Sequence, residues 1–92
     1  MEISTIEIGR VVIAKAGRDK GRALVILKVI DADYIQVVDG DLRRIEKPKL
    51  KKVMHCAITK QNILDATSKT MPQEWNNAYV KKALKDFTLR TE

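Results

Sequence analysis

Two short windows of the chain concentrate positive side chains whose chemistry suits the binding of an anion. Residues 10–22 hold five cations and one acid, and residues 43–52 hold six cations and one acid. The remaining residues carry seven cations and ten acids, so the two windows account for the whole net charge of +6. Because a merely soluble surface usually intersperses the two signs, this segregation favours a polyanion-binding face. Solvated basic turns are the alternative.

The residues that most often carry catalysis are too few to form a site. The chain has one histidine and one cysteine, His55 and Cys56, and adjacent residues of a strand point to opposite faces. They cannot easily pair as nucleophile and base, and a structural zinc ion needs four nitrogen or sulfur ligands. The sequence predicts a buried thiol beside a surface imidazole. It predicts no catalytic residue, metal site, cofactor or small-molecule substrate.

The hexapeptide at residues 17–22, Gly-Arg-Asp-Lys-Gly-Arg, differs from a nucleotide-binding phosphate loop. It lacks the Walker spacing and the Lys-Ser/Thr ending, and it joins two β-branched runs without a following helix. Because β-branched residues favour strands, a short glycine-containing connection between two such runs predicts a hairpin. We expect Arg18, Lys20 and Arg22 at its exposed tip, with Asp19 stabilising the turn through the local backbone.

The apolar pattern predicts five short strands in the first two-thirds of the chain. The second strand of this hairpin covers residues 23–30, with the face of Val25, Leu27 and Val29 towards the core. The third covers residues 34–38 and ends at Asp39-Gly40, a two-residue hairpin signal. A fourth strand at residues 42–45, a charged connection at 46–52 and a fifth strand at 53–58 complete the set. Five strands joined by tight turns favour a small closed or nearly closed barrel.

After residue 60 the apolar period becomes helical. Asn62 is placed to cap a short helix at residues 63–67, and Thr70 begins a capping-box pattern ahead of a longer helix at residues 72–89. Trp75 and Tyr79 lie four residues apart beside an apolar stripe of that helix. The stripe predicts packing against the barrel, with a docking face for a partner protein as the alternative. The predicted organisation is a barrel domain (residues 1–60) with a helical extension (61–92), in one structural unit.

The pattern strand, Gly-cation-Asp-Lys-Gly-cation, strand resembles the KOW motif of ribosomal proteins and of NusG-type transcription elongation factors, with Gly21 at the motif's glycine. Residues 6–11 and 43–60 extend the likeness. With them, roughly the first two-thirds of the chain is similar to the L-fourteen-e family of archaeal and eukaryotic large-subunit ribosomal proteins. The resemblance implies a mainly β fold, a five-stranded Src-homology-3-like (KOW) β-barrel, here followed by one short and one longer C-terminal α-helix. It also implies RNA-facing roles for the motif hairpin and for the basic segment before the last strand. Carried onto this chain, the RNA-binding residues are Arg10, Lys15, Arg18, Lys20, Gly21, Arg22, Arg43, Arg44, Lys49, Lys51 and Lys52.

These observations predict a non-catalytic RNA-binding protein of the translation machinery, with large-subunit ribosomal RNA and neighbouring ribosomal proteins as partners. Because Tyr34 is the only aromatic residue of the predicted barrel, we expect contact with phosphates and RNA shape and little base reading. A permanent ribosomal component and a transient ribosome-associated factor both stay open. The alternatives are a protein-interaction adaptor and a transcription-associated module that binds RNA polymerase or nascent RNA.

The cytoplasm is the expected location. No apolar run approaches the 18 or so residues that cross a membrane, and the N-terminal residues lack the pattern of a signal peptide. A single cysteine cannot form an internal disulfide, which agrees with a reducing compartment. We therefore expect no membrane partner.

Overall fold

The computed structural model describes residues 6–63 and 75–91 of the chain. Five strands form one antiparallel sheet in the order β4-β3-β2-β1-β5, and one helix follows them. The elements are β1 (Arg10–Ala14), β2 (Ala23–Val29), β3 (Tyr34–Val38), β4 (Lys49–Lys52), β5 (Cys56–Asn62) and α1 (Asn77–Thr91). The chain is thus mainly β with a C-terminal helix. Among the described residues no ladder joins β4 to β5, so the barrel is not closed.

The predicted hairpin is formed by β1 and β2. Val11 pairs with Val25 and Ile13 with Ala23, in antiparallel register. The backbone N–H of Gly21 donates to the carbonyl of Ala14 over 2.8 Å, which closes the loop that carries the glycine hexapeptide. The loop spans residues 15–22 and holds its cations beyond the ends of both strands.

Strand β2 buries side chains on both faces of the sheet. Leu24 and Ile26 lie in one apolar cluster with residues of β1, β3 and β5, and register shifts in β1 and β2 bend the sheet. Val25 and Leu27 face a second cluster, which α1 covers. The register shifts between Ile26 and Lys28, and Val29 thereby joins the face of Leu24 and Ile26. The prediction of one core face, shared by Val25, Leu27 and Val29, is therefore wrong.

The fourth strand begins later than the sequence predicted. The Asp39 carboxylate accepts hydrogen bonds from the backbone N–H groups of Asp41 and Arg43, each over 2.8 Å, and the Asp39 N–H donates to the Arg43 carbonyl. These bonds hold residues 39–43 in a turn, so the predicted strand at 42–45 and two-residue hairpin at Asp39-Gly40 are wrong. Leu42 is 61% exposed as a result.

Strand β4 lies instead within the predicted charged connection. Pro48, which cannot donate to a ladder, immediately precedes the strand, where that loss has little effect. The predicted start of the fifth strand is a single 3₁₀ turn, Val53–His55, so β5 begins at Cys56. A lysine-rich segment forms a strand here because β3 supplies its hydrogen-bonding partners.

Helix α1 begins at Asn77, later than the predicted start at residue 72. The Asn76 side chain caps it by accepting a hydrogen bond from the N–H of Tyr79 over 2.8 Å. Trp75 precedes the helix and still contacts Tyr79, with ring centroids 6.1 Å apart. The predicted Thr70 capping box and the short helix, apart from its first residue Ile63, lie outside the described residues. In the described part of the chain, α1 is too short and too polar to cross a membrane.

The N-terminal end of α1 is fixed to the loop between β3 and β4. The Asn77 side chain accepts a hydrogen bond from the N–H of Ile45 over 2.8 Å and donates one to Glu46 over 2.7 Å. This second bond lowers the pKa of the Glu46 carboxyl. Gly40, with φ of +79°, lies directly against the backbone of Asn77. The loop that carries the second basic window is therefore held by the helix.

The predicted buried thiol and surface imidazole are confirmed, although His55 lies in the 3₁₀ turn and not on a strand. Cys56 is 5% exposed, and burial raises the pKa of its thiol. Because the thiolate is the reactive form, we expect Cys56 to react with iodoacetamide at pH 7.5 at least about tenfold more slowly in the native protein than in denaturant. Mass spectrometry of timed samples measures both rates, and equal rates would contradict this burial.

Candidate nucleic-acid interface

The two basic windows meet at one open groove of about 530 Å³ between the hairpin loop and β4. The hairpin loop contributes one wall, and β4 with the loop before it contributes the other. The charged side chains that line the groove are Arg18, Asp19, Arg43, Lys49, Lys51 and Lys52. Five cations therefore surround one carboxylate, and the groove is strongly electropositive.

Asp19 joins the two windows. Its carboxylate is 3% exposed and accepts hydrogen bonds from Arg43, with Nη2 at 3.0 Å and Nε at 3.1 Å. The ammonium of Lys51 lies 3.9 Å from the same oxygen and donates to the carbonyl of Ala16 over 3.2 Å. The Asp19 side chain thus binds the second window and not the backbone of its own turn, contrary to the prediction.

A second buried acid holds the end of the hairpin loop. Asp39 is 5% exposed, and its Oδ2 lies 3.1 Å from Nη1 of Arg22. Arg22 is therefore drawn towards the loop after β3, whereas the sequence placed it at the exposed tip with Arg18 and Lys20. Asp19 lies within the first basic window, and Asp39 lies just before the second. Together they fix the hairpin loop against the body of the sheet.

The predicted RNA-binding cations fall into two groups. Five have an acidic partner: Arg10 with Glu7, Arg22 with Asp39, Arg43 and Lys51 with Asp19, and Arg44 with Glu46. The other five are exposed and form no ion pair with any described residue: Lys15, Arg18, Lys20, Lys49 and Lys52. The second group is the better supply of charge for a ligand, since its ammonium and guanidinium groups are not neutralised internally.

The structure does not bring all the predicted residues to the groove. Arg10 lies at the opposite end of β1 from the hairpin loop and donates to the carbonyl of Lys60 as well as to Glu7. Arg44 lines an adjoining cleft of about 380 Å³, which shares Arg43 and Lys49 with the groove. Gly21 is exposed in the loop with φ of +87° and has no heavy atom near the position of a Cβ, so its role there is conformational.

Six groove residues were not among the predicted site residues: Ala16, Gly17, Asp19, Tyr34, Leu50 and His55. Leu50 offered a signal in the sequence, since it alternates with Lys49 and Lys51 in a lysine-rich segment and is 54% exposed. His55 offered none, because its position depends on the 3₁₀ turn that follows β4.

The known proteins to which the chain is similar share one name, large ribosomal subunit protein eL14. No protein-family model matches the chain. The chain is 48% identical to large ribosomal subunit protein eL14 of Methanococcus vannielii over 42 residues, which are 46% of this chain and 53% of that protein. It is 40% identical to large ribosomal subunit protein eL14 from Methanococcus maripaludis strains C5 and C6, with the same coverage. The chain spans about half the length of these curated relatives, and the likeness is shorter than the two-thirds of the chain that the sequence suggested. Over those 42 residues the chain is similar to the eL14 family of large-subunit ribosomal proteins, as its motif and flanking residues had indicated.

Proposed function

We propose that this chain is a non-catalytic RNA-binding protein of the translation machinery, which contacts structured RNA of the large ribosomal subunit in the cytoplasm. The single observation that carries the proposal is the groove at which both basic windows meet. The names of the similar proteins support a ribosomal role. Recognition is through phosphates and the shape of the RNA, because the groove presents cations on a rigid support.

Three exposed side chains are placed to bind phosphates along the groove: Arg18, Lys49 and Lys52. Arg43 adds a fixed fourth contact. Its Nε and Nη2 are bonded to Asp19, and the guanidinium keeps further N–H donors on its exposed side. Lys51 is 8% exposed, so its contribution is structural and its charge acts through Asp19.

We also propose that the strands form an open Src-homology-3-like barrel, which the helical extension joins as a single unit. The strand order supports the first part, together with the register shifts that bend the sheet. The packing of α1 on β2 and the bonds of Asn77 to the loop before β4 support the second. This scaffold keeps the two walls of the groove at a fixed separation.

Removal of three exposed cations at the groove should weaken RNA binding and flatten its salt dependence. For the variant Arg18→Ala/Lys49→Ala/Lys52→Ala, we expect the log–log salt slope for a large-subunit ribosomal RNA fragment to fall by about 2 to 3, since each phosphate contact contributes about 1. Affinity should fall about tenfold or more at a fixed salt concentration, because each lost contact removes part of the counterion release. Fluorescence anisotropy over a salt series measures both quantities.

The matched control removes three exposed lysines from α1, in the variant Lys81→Ala/Lys82→Ala/Lys85→Ala. These residues line a separate shallow cleft and change the net charge by the same amount. Equal losses in the two variants would show that net charge, and not the groove, determines binding. Sedimentation with large ribosomal subunits should be lost after ribonuclease treatment and in the groove variant. Retention of a protein partner after ribonuclease, or association with RNA polymerase, would contradict the proposal and favour the adaptor or the transcription alternative.

A further inference from the structure

One end of the groove presents apolar side chains that the phosphate contacts do not explain. Leu50, the one apolar residue of β4, is 54% exposed, and Met54 in the 3₁₀ turn after the strand is 69% exposed. A small pocket of about 150 Å³ lies beside them, lined by Asp33, Tyr34, Lys52 and Met54. Tyr34 and Lys52 line this pocket and the groove alike, so the two spaces adjoin.

The β3–β4 register places Tyr34, Leu50 and Lys52 on one face of the sheet, and Met54 joins Tyr34 in the small pocket. Tyr34 pairs with Lys52, and the next pair in that direction with the same orientation is Gln36 with Leu50. The Lys52 ammonium lies 6.0 Å from the centroid of the Tyr34 ring. An aromatic ring, an aliphatic side chain and a thioether thus lie together at the edge of a cationic surface.

This combination suits an unpaired nucleobase better than it suits a protein. The flat face of a base packs on aromatic, aliphatic and thioether groups, and its sugar–phosphate backbone needs cations beside them. Lys52 supplies such a cation on the same face as Leu50, and Lys49 lines the adjoining groove. A protein partner could also cover Leu50 and Met54, but the net positive charge of the surrounding surface favours an anionic polymer.

Asp33 supplies a group that can distinguish one base from another. Its backbone is fixed, because its N–H donates to Asp31 over 2.8 Å and its carbonyl accepts a hydrogen bond from Val53 over 2.8 Å. Its carboxylate is exposed and forms no ion pair or hydrogen bond with any described residue. A carboxylate only accepts hydrogen bonds, so it favours a base with an exocyclic amino group over uracil, whose base donates only through its ring N3–H.

We propose that this pocket takes one unpaired base of a structured RNA, which packs against Tyr34 and Met54 and reaches Leu50 in the adjoining groove, while Asp33 accepts a hydrogen bond from its amino group. The proposal rests on the proposed function and adds to it, since it assigns base recognition to a protein expected to read phosphates and shape. Cytosine, adenine and guanine offer the carboxylate an exocyclic amino group, whereas uracil offers only its ring N3–H.

The test uses three RNA hairpins that are identical except for one bulged cytosine, one bulged uracil or no bulge. We expect the intact protein to bind the cytosine-bulged hairpin about tenfold more tightly than the fully paired one, in the range of one base stacked on a protein surface, with the uracil-bulged hairpin between them. Leu50→Ser/Met54→Ser should remove the preference for a bulge, so that the bulged and paired hairpins bind with equal affinity. Asp33→Ala should remove the preference for cytosine over uracil. Ile8→Ser, at an exposed apolar residue outside the pocket, is the matched control and should change neither preference.

Equal binding of the bulged and paired hairpins by the intact protein would overturn the base pocket and leave the groove assignment in place. The absence of binding to any of the three hairpins or to ribosomal RNA would refute the proposed function itself. A bulge preference that survives in Leu50→Ser/Met54→Ser would also overturn the pocket. The base pocket would also be wrong if Leu50→Ser/Met54→Ser kept its RNA preferences but lost binding to a ribosomal protein. Leu50 and Met54 would then contact a protein partner.

Discussion

Replacing Asp19 with asparagine is expected to weaken RNA binding about tenfold, which is the order of one charge-assisted hydrogen bond, although the change removes a negative charge from a cationic groove. Simple electrostatics predicts the opposite, since the groove would gain one unit of positive charge. The geometry decides the sign. Without the carboxylate, Arg43 and Lys51 lose the group that holds them against the hairpin loop, and the two walls of the groove lose their common anchor.

The substitution should also destabilise the fold. Asp19 and Lys51 are 3% and 8% exposed, and removing one partner of a buried ion pair leaves the other charge uncompensated, at a cost of about 3 kcal/mol. Affinity is therefore measured at a temperature at which circular dichroism shows the variant to be folded. The double variant Asp19→Asn/Lys51→Met removes both buried charges, restores the original net charge and should still bind RNA weakly.

Asp41→Asn is the matched control for Asp19→Asn. Asp41 is exposed in the same loop as Arg43, and its carboxylate has no ion pair with a described residue. The two substitutions make the same change in shape and charge, and we expect Asp41→Asn to leave affinity unchanged or to increase it slightly. If both variants bind RNA more tightly than the original protein, or if the double variant binds as the original does, Asp19 has no positioning role.

Gly40→Ala should destabilise the fold by about 3 kcal/mol, from steric overlap and backbone strain together. A Cβ at this position would overlap the carbonyl oxygen of Asn77 and approach the N–H of Lys81, and φ is +79°. Both atoms belong to the helix backbone, so α1 must move. Urea unfolding measures the loss, and the fluorescence of Trp75 should change in the native state because it packs between the helix and the sheet.

Gly21→Ala separates the two causes of this loss. Gly21 has a similar φ of +87°, but no heavy atom lies within 4 Å of a Cβ built there. The free energy of unfolding of Gly21→Ala should therefore fall only by the strain of an alanine at positive φ, about 1 kcal/mol. Equal losses at the two glycines would mean that the approach of α1 to Gly40 is not tight, and the seating of the helix on the loop would be wrong.

Gly40 is expected to differ from Gly21, and Asp19 from Asp41, for the same structural reason. The loop between β3 and β4 is held from one side by Asn77 of the helix and from the other by Asp19 of the hairpin. This loop carries the second basic window. The helix and the Asp19 carboxylate thus hold the same segment. A substitution that weakens either contact should therefore lower RNA affinity at the groove.

The local pattern of the sequence determined the elements whose formation depends on near neighbours. The β-branched runs and Gly21 specified the hairpin of β1 and β2, and alternation specified β3 with Ile35 and Val37 on one buried face. The charge count located the two basic windows. These features could be predicted because strand propensity, turn geometry and local charge are properties of consecutive residues.

The tertiary structure alone decided where the fourth strand lies and what each cation does. Residues 42–45 are apolar enough for a strand, but the bonds of Asp39 hold residues 39–43 in a turn, and β3 pairs instead with the lysines of β4. The sequence shows that Arg43 is a cation, but it does not show that Arg43 is bonded to Asp19, 24 residues away. The partner of a charge, the exposure of Lys51 and the meeting of the two windows at one groove depend on contacts between distant segments. Such contacts have no periodic signature in the sequence, because they are set by how the sheet bends and where the helix packs.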